Sequence, residues 1–421
     1  MRTSDPKGGA GYPGAERGSR VIVDLYSPDT YVPGPPHEVF EELRRTQPVY
    51  WQDMPDGTGY WAILKHADVV HVAREPVLFS ASEGGVVVED LEPERLAMMR
   101  NMLLAMDPPR HVDYRRPLAP SFKAKVIAGL ADRIRAMCRE IMAEAAEKRD
   151  VDFVHEVCAL LPSQVVGELM GLPRDDWPKI HRWAEMNTSG QDEELAPLDD
   201  GSYNPDGGTI QMAMYAIEFA AQRRTEPARE DLTSLILASE FGGAPMSDID
   251  FGSFFVQLVT AGNDTTKTML SSGLHALLQH PDQLAELRAD PSLMHGAVEE
   301  ILRWANPLHY FRRTATADTE IRGVPIAAGQ KLAMMYTSVN RDEDVFADPH
   351  RFDLHRDPNP HLSFGIAEHY CLGVHLARLE GNVFFDELLT TFPSIELTGE
   401  PRRTRSNLNN ALKELPVRLT R

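Results

Sequence analysis

From Ser247 to His280 the chain holds a helical pattern without a break, roughly 34 residues or about 50 Å at 1.5 Å per residue. Ser247-Asp-Ile-Asp supplies an N-cap with acidic residues in the first turn, and His280-Pro281 supplies the stop. Helices of globular proteins average about 10–14 residues. One this long crosses a whole domain, so the predicted fold is mainly α with small β-sheets, organised around this element. Its middle reads Ala261-Gly262-Asn263-Asp264-Thr265-Thr266. Glycine, Asp and Thr are poor residues for a helix interior, and the sequence predicts a local weakening there. Taken alone, the patch suits a set of tolerated polar residues as well as it suits a functional site.

Around that helix the composition is that of a globular protein: 421 residues, 42% hydrophobic and 25% charged, with a net charge of −20. Such an acid balance argues against nucleic-acid binding, though not against a local basic patch. Cys138, Cys158 and Cys371 share no repeated spacing, so neither a disulfide framework nor a zinc site is indicated, and a reducing, cytoplasmic setting fits. Residues 1–20 are rich in Gly, Pro and charge and lack the apolar core of a signal peptide or membrane anchor; they are expected to be disordered. No repeat or long linker divides residues 21–421, which are read as a single domain. Val49-Tyr-Trp51 and Tyr60-Trp-Ala-Ile-Leu64 flank Pro55-Asp-Gly-Thr-Gly59, a hairpin signal. Three further stretches read as short strands: Thr319 to Gly323, Val324 to Ile326 and Lys331 to Tyr336. Ala81 to Met106 looks irregular, and Gly190 to Gly208 makes a long polar loop.

Four local patterns point to chemistry. In His361-Leu-Ser-Phe364-Gly365-Ile-Ala367-Glu-His369-Tyr-Cys371-Leu-Gly373, an extended segment ends at Phe364-Gly365. Leu372, Leu376 and Leu379 then begin an amphipathic helix, which puts Cys371 at a helix start. There the helix dipole and free N–H groups favour a thiolate over a free thiol of pKa about 8.5, although an isolated cysteine is ordinarily just buried. Asp107-Pro-Pro-Arg-His111-Val-Asp-Tyr-Arg115 opens a helix with His111 and Arg115 on one face. Glu300-Ile-Leu-Arg303 sets a carboxylate beside a guanidinium at i, i+3. The fourth is the Ala261 to Thr266 patch.

Together, and in this order, these patterns resemble the cytochrome P450 family, over nearly the whole chain. Phe364-x-x-Ala367-x-His369-x-Cys371-x-Gly373 followed by Leu376-Ala377-Arg378 is similar to its haem-binding signature, in which one cysteine thiolate holds the iron. Ala367 departs from the usual glycine, a residue that tolerates unusual backbone angles. The resemblance implies the cytochrome P450 fold, a long central helix over haem b (iron protoporphyrin IX), with Cys371 as metal ligand. It implies that His111, Arg115, Arg313 and His369 bind the haem propionates. Asp264 and Thr265 become an acid–alcohol pair that supplies protons during oxygen activation. Glu300, Arg303 and Arg351 become a structural triad beneath the cysteine loop, and the 190–208 stretch a lid by position.

The function so implied is monooxygenation of a lipophilic small molecule with O2 and two electrons. The electrons come from a ferredoxin served by an NAD(P)H-dependent ferredoxin reductase. Arg115, Arg116, Lys123 and Lys125 form a candidate docking patch for that acidic donor. The apolar stretches Val86 to Met106, Val259 to Thr265, Leu308 to Phe311 and Leu408 to Leu412 suggest a steroid, terpenoid or branched lipid as substrate. A peroxide-driven oxygenase and a non-catalytic haem-thiolate sensor are the alternatives. The Asp264-Thr265 pair argues for O2 and a ferredoxin.

Overall fold

A computed structural model describes residues 23–188, 191–195 and 207–421. The expected disordered head lies outside the described residues, as does most of the 190–208 stretch. The helices that shape the interior are α1 (Arg110–Arg115), α2 (Ala131–Lys148), α3 (Leu160–Leu169), α4 (Trp177–Thr188), α5 (Gly207–Arg223), α6 (Asp248–Gln279), α7 (Met294–Ala305) and α8 (Val374–Thr391). The long helix of the sequence is α6, 32 residues capped by Ser247, whose hydroxyl accepts from the Asp250 N–H. The predicted weakening in its middle is absent: α6 runs unbroken. Its polar residues bond back to the helix's own carbonyls, Asn263 to Val259 O at 2.9 Å and Thr265 to Ala261 O at 2.8 Å, so they do not compete with the ladder.

Two hydrophobic clusters meet along α6. Phe251, Phe254, Phe255 and Val259 of its first half pack with Met212 and Phe219 of α5, while Met269, Leu270, Leu274 and Leu277 of its second half join Ile141, Ile301, Phe384 and Phe385. Each fully buried side chain of this size contributes roughly 1.5–3 kcal/mol over leaving it in water. At Gly273 the side chains of Ile301 on α7 and Phe385 on α8 pack onto α6 so closely that an added Cβ would lie 2.7 Å from each, so any larger residue would have to displace them.

The larger sheet has five strands: β1 (Val49–Asp53), β2 (Gly59–Ile63), β3 (Phe79–Ser80), β4 (Tyr310–Ala315) and β5 (Lys331–Met335), in spatial order β1-β2-β5-β4-β3. The predicted hairpin is β1–β2, antiparallel with Trp51 opposite Trp61. Thr319–Ile321 and Val324–Ile326 pair as a second hairpin. Strand alternation sends the neighbours Arg312 and Arg313 of β4 to opposite faces, Arg312 toward Asp90 and Arg313 into the central cavity. Ala81 to Met106 is more regular than its sequence suggests, since Pro93–Met99 is helical with Pro at its first position, and Leu103–Ala105 forms a 3-10 turn.

On α7, Glu300 and Arg303 are wholly buried and form a two-pronged pair, 2.6 and 2.8 Å. Arg303 also donates to the carbonyls of Asn340, Pro349 and Arg351. The expected third guanidinium is corrected. Arg351 is exposed and offers only its carbonyl, whereas Arg356 reaches Glu300 at 3.2 Å and donates to the carbonyls of Ala347, Asp348 and Arg351. The Asp353 N–H and the Asn359 side-chain amide complete the carboxylate's set. Removing one member of such a buried ionic network costs about 3–5 kcal/mol. Urea titration of Arg356→Ala is therefore expected to show a loss near the lower end of that range. Arg351→Ala should stay within about 0.5 kcal/mol of the parent, as exposed positions do.

Candidate functional site

The chain after β5 wraps beneath α7 and returns as an irregular loop whose backbone turns sharply twice. Gly365 and Ala367 both adopt left-handed angles, φ +67° and +59°. Ala367 thus holds a conformation that is costly for any residue with a Cβ, of order 1 kcal/mol, and the loop keeps its shape without the second glycine. A 3-10 turn over Ala367–His369 follows, and the Cys371 N–H donates to Phe364 O at 2.9 Å. Helix α8 begins at Val374, so Cys371 precedes the helix where the sequence pattern had placed it at the start.

Cys371 is half-buried and opens onto the central cavity. Burial pushes its thiol above the ordinary value, while the Gly373 N–H, Arg115 and Arg378 pull the other way without offsetting it. A sulfur in this setting becomes a thiolate only beside a further positive charge, as a coordinated metal ion provides.

The central cavity has a volume of about 270 Å3. Its lining brings together Cys371 and Phe364 from the loop, and Ala261, Gly262 and Thr265 from α6. His111, Arg115, Arg313 and His369 lie there too, with the two imidazole rings 4.4 Å apart. Among the described residues none of these four forms an ion pair. Arg115 reaches only Glu368 O at 3.5 Å, Arg313 only Arg312 O at 2.8 Å, and His111 Nδ1 and His369 Nε2 are buried with no partner. Two guanidinium groups and two unpaired imidazoles collected without an anion, in a strongly acidic protein, fit a dicarboxylate. A haem would meet both demands: His111, Arg115, Arg313 and His369 would hold its propionates and Cys371 its iron.

Asp264 lies elsewhere than Thr265. Thr265 lines the cavity, whereas the Asp264 carboxylate is buried against Lys267, 2.7 Å away and one turn along α6. Lys267 also holds Glu185 of α4 at 2.8 Å. Burial acts to lower the Lys267 pKa, but the two carboxylates outweigh it and the net shift is upward. Glu185 shows the mirror case: burial would raise it, yet Lys267, His155 and His181 hold it at about 2. The sequence reading missed this pairing, although i, i+3 spacing from Asp264 marks Lys267 as its neighbour. It also missed Arg356, which no spacing rule connects to Glu300, and Glu380 of α8, a cavity-lining carboxyl that burial pushes up to about 8.

Arg115 faces inward, which removes it from the expected surface patch. Arg116, Lys123 and Lys125 are exposed on that side, next to exposed Val112 and Val126.

The rim makes a pH prediction. Burial, then the neighbouring cations, lower His111 to about 4 and His369 to about 2, so both are neutral at pH 7 in the folded and unfolded chain alike. Below the unfolded value of about 6.5 the unfolded chain takes up protons that the folded rim refuses. Stability of the cofactor-free protein therefore falls as pH drops from about 6.5 through the folded values. Carboxylates at the rim oppose that loss. Iron-free protoporphyrin IX is expected to raise the melting temperature of the cofactor-free protein more at about pH 5.5 than at about pH 7.5, and its dimethyl ester to show no such difference.

The family model described as Cytochrome P450 matches residues 209–420. The chain is 37% identical over 395 residues to a steroid C26-monooxygenase of Mycolicibacterium smegmatis, covering 91% of each protein. It is 38% identical over 390 residues to a methyl-branched lipid omega-hydroxylase of Mycobacterium tuberculosis (90% of each), and 35% identical over 401 residues to a linalool 8-monooxygenase of Pseudomonas putida (94% and 98%). The structure of a Mycobacterium marinum cytochrome P450 in complex with pseudoionone superposes with a TM-score of 0.84 at 36% identity, covering 91% of this chain and 94% of that one. With a lone cysteine facing a carboxylate-binding rim and these relatives along nearly its full length, the chain belongs to the cytochrome P450 family and is a haem b monooxygenase.

Proposed function

We propose that the protein hydroxylates a lipophilic small molecule of the steroid, terpenoid or methyl-branched lipid class, with two electrons delivered one at a time by a ferredoxin. The observation that carries this reading is the lining of one cavity by Cys371, by Thr265 and by an apolar group that includes Leu103, Leu104, Leu308 and Phe311. The relatives named for steroid, branched-lipid and linalool oxidation support it. Helices long and apolar enough to cross a membrane are absent among the described residues.

When bound, haem supplies O2 binding, electron acceptance and the oxidation of a C–H bond. The protein's part is positional. Cys371 supplies an electron-rich ligand from a loop fixed by the Phe364 carbonyl. Thr265 directs its own proton to Ala261 O, which leaves its Oγ1 lone pairs toward the cavity as acceptors for a protonated oxygen species. Asp264 feeds protons to that position only when its carboxylate turns away from Lys267. Leu103, Leu104 and Phe311 exclude water and orient the substrate. Arg116, Lys123 and Lys125, bordered by Val112 and Val126, offer an acidic ferredoxin a positive patch on a chain that otherwise repels it.

Two measurements test the reading. The reduced, CO-bound protein should absorb at the red-shifted position that names its family, and Cys371→His should abolish that band. An imidazole-like band in the parent would remove Cys371 as ligand. Thr265→Ala should retain substrate affinity but release hydrogen peroxide, with NAD(P)H consumed in excess of product, because the lost contact is made chiefly after oxygen binds. Full coupling in that variant would make Thr265 an ordinary helix residue.

A further inference from the structure

Gln257 stands on α6 two turns before Thr265, about 12 Å along the helix axis. Gln257, Leu258, Ala261, Gly262 and Thr265 form one face of α6, at i, i+1, i+4, i+5 and i+8, and all five line the cavity. Gln257 is the one amide side chain in that lining among the described residues. It makes no hydrogen bond to the protein, and its Oε1 is buried without a partner. Of the other polar groups there, Thr265 bonds to Ala261 O, His111, Arg115, Arg313 and His369 form the proposed carboxylate rim, and Glu380 of α8 carries a second unpartnered oxygen, a carboxyl and not an amide. Much of the rest of the lining is leucine, alanine and phenylalanine, which offer an amide nothing. An amide in such a wall is unfavourable unless something in the cavity bonds to it. A leucine would fill the same position on the helix without that penalty.

We infer that Gln257 reads an oxygen-bearing group on the substrate. This inference rests on the proposed hydroxylase reading and narrows it. The substrate class becomes a lipophilic molecule that already carries a hydroxyl or carbonyl, set about 12 Å along α6 from the end presented at Thr265. The amide can donate to a carbonyl or accept from a hydroxyl, so either oxygen function suits it. A site that hydrogen-bonds a substrate oxygen discriminates against the plain hydrocarbon, because the amide is then left buried and unpaired. Gln257 is thus a specificity residue, and it also sets which end of the molecule meets the oxidant.

The test uses the full-length haem protein and two probes of equal length, decan-1-ol and decane, titrated while the blue shift of the Soret band reports displacement of water from the iron. The parent should bind the alcohol about 3- to 10-fold more tightly than the alkane, the range a neutral hydrogen bond supports. Gln257→Leu should lose the preference and bind decane at least as tightly as the parent does. Gln257→Met, closer in shape, should behave the same way and stands in if the leucine variant misfolds. A parent that binds the two probes equally or binds neither overturns the assignment, as does a leucine variant that keeps the preference. A red shift with decanol alone, which marks the alcohol on the iron, overturns it as well. The CO-bound band of the same samples separates the two readings, since its absence from the parent defeats the proposed function and its presence leaves Gln257 as the point at issue.

Discussion

A carboxylate and a guanidinium, both wholly removed from water, hold the proximal half of this protein together. Glu300 and Arg303 lie on one helix, yet nearly everything they bind comes from the chain between residues 340 and 359, which has little regular structure of its own. Such a stretch cannot satisfy its carbonyls with a ladder, so Arg303 and Arg356 gather them instead. Asn340 passes the constraint onward: its side chain donates to Ser363 Oγ and accepts from the Leu362 N–H, and Ser363 ties back to Leu302 O. Phe364, whose carbonyl receives the Cys371 N–H, is the next residue. The position of Cys371 is therefore set through a run of hydrogen bonds that begins on α7.

Much of this was legible in the sequence, for definite reasons. The cysteine loop, the His111–Arg115 pair and Glu300-x-x-Arg303 are local patterns, and local spacing fixes which side chains share a face. The hairpin of β1 and β2 was legible because aromatic residues alternate around an Asp-Gly turn. What could not be read were contacts made across long separations by residues in irregular chain. Arg351 and Arg356 are both arginines in the same meandering stretch, and only the folded backbone decides which one points inward. The middle of α6 misled for another reason: composition predicts weakness, but the Asn263 amide N–H and the Thr265 hydroxyl donate to carbonyls within the helix, which stays unbroken. Asp264 and Thr265 were paired through the family resemblance; that Asp264 faces Lys267 follows from the fold, since neighbours on a helix point 100° apart.

The cavity has two chemical halves. One is fixed by charge, with two arginines and two histidines whose unpaired groups define what must lie between them. The other is fixed by shape and by a single amide on an apolar wall. Resemblance to a family informs the first half far better than the second, because a shared cofactor imposes the same partners while substrates differ. Residues that serve the cofactor are therefore visible as motifs, whereas Gln257 belongs to no motif and stands out only through its lack of a hydrogen-bond partner.

The seam between the two hydrophobic clusters differs in kind from the contacts around Glu300. Phe122 and Leu169 pack against both clusters, and α6 passes from one to the other beside the cavity. Parting of the clusters would break side-chain contacts that reform without a register to recover, because apolar packing is non-directional. The Glu300 network rests instead on directional, buried hydrogen bonds, which reform only in one geometry. The loop that carries Cys371 is thus tied to the less forgiving of the two kinds of contact.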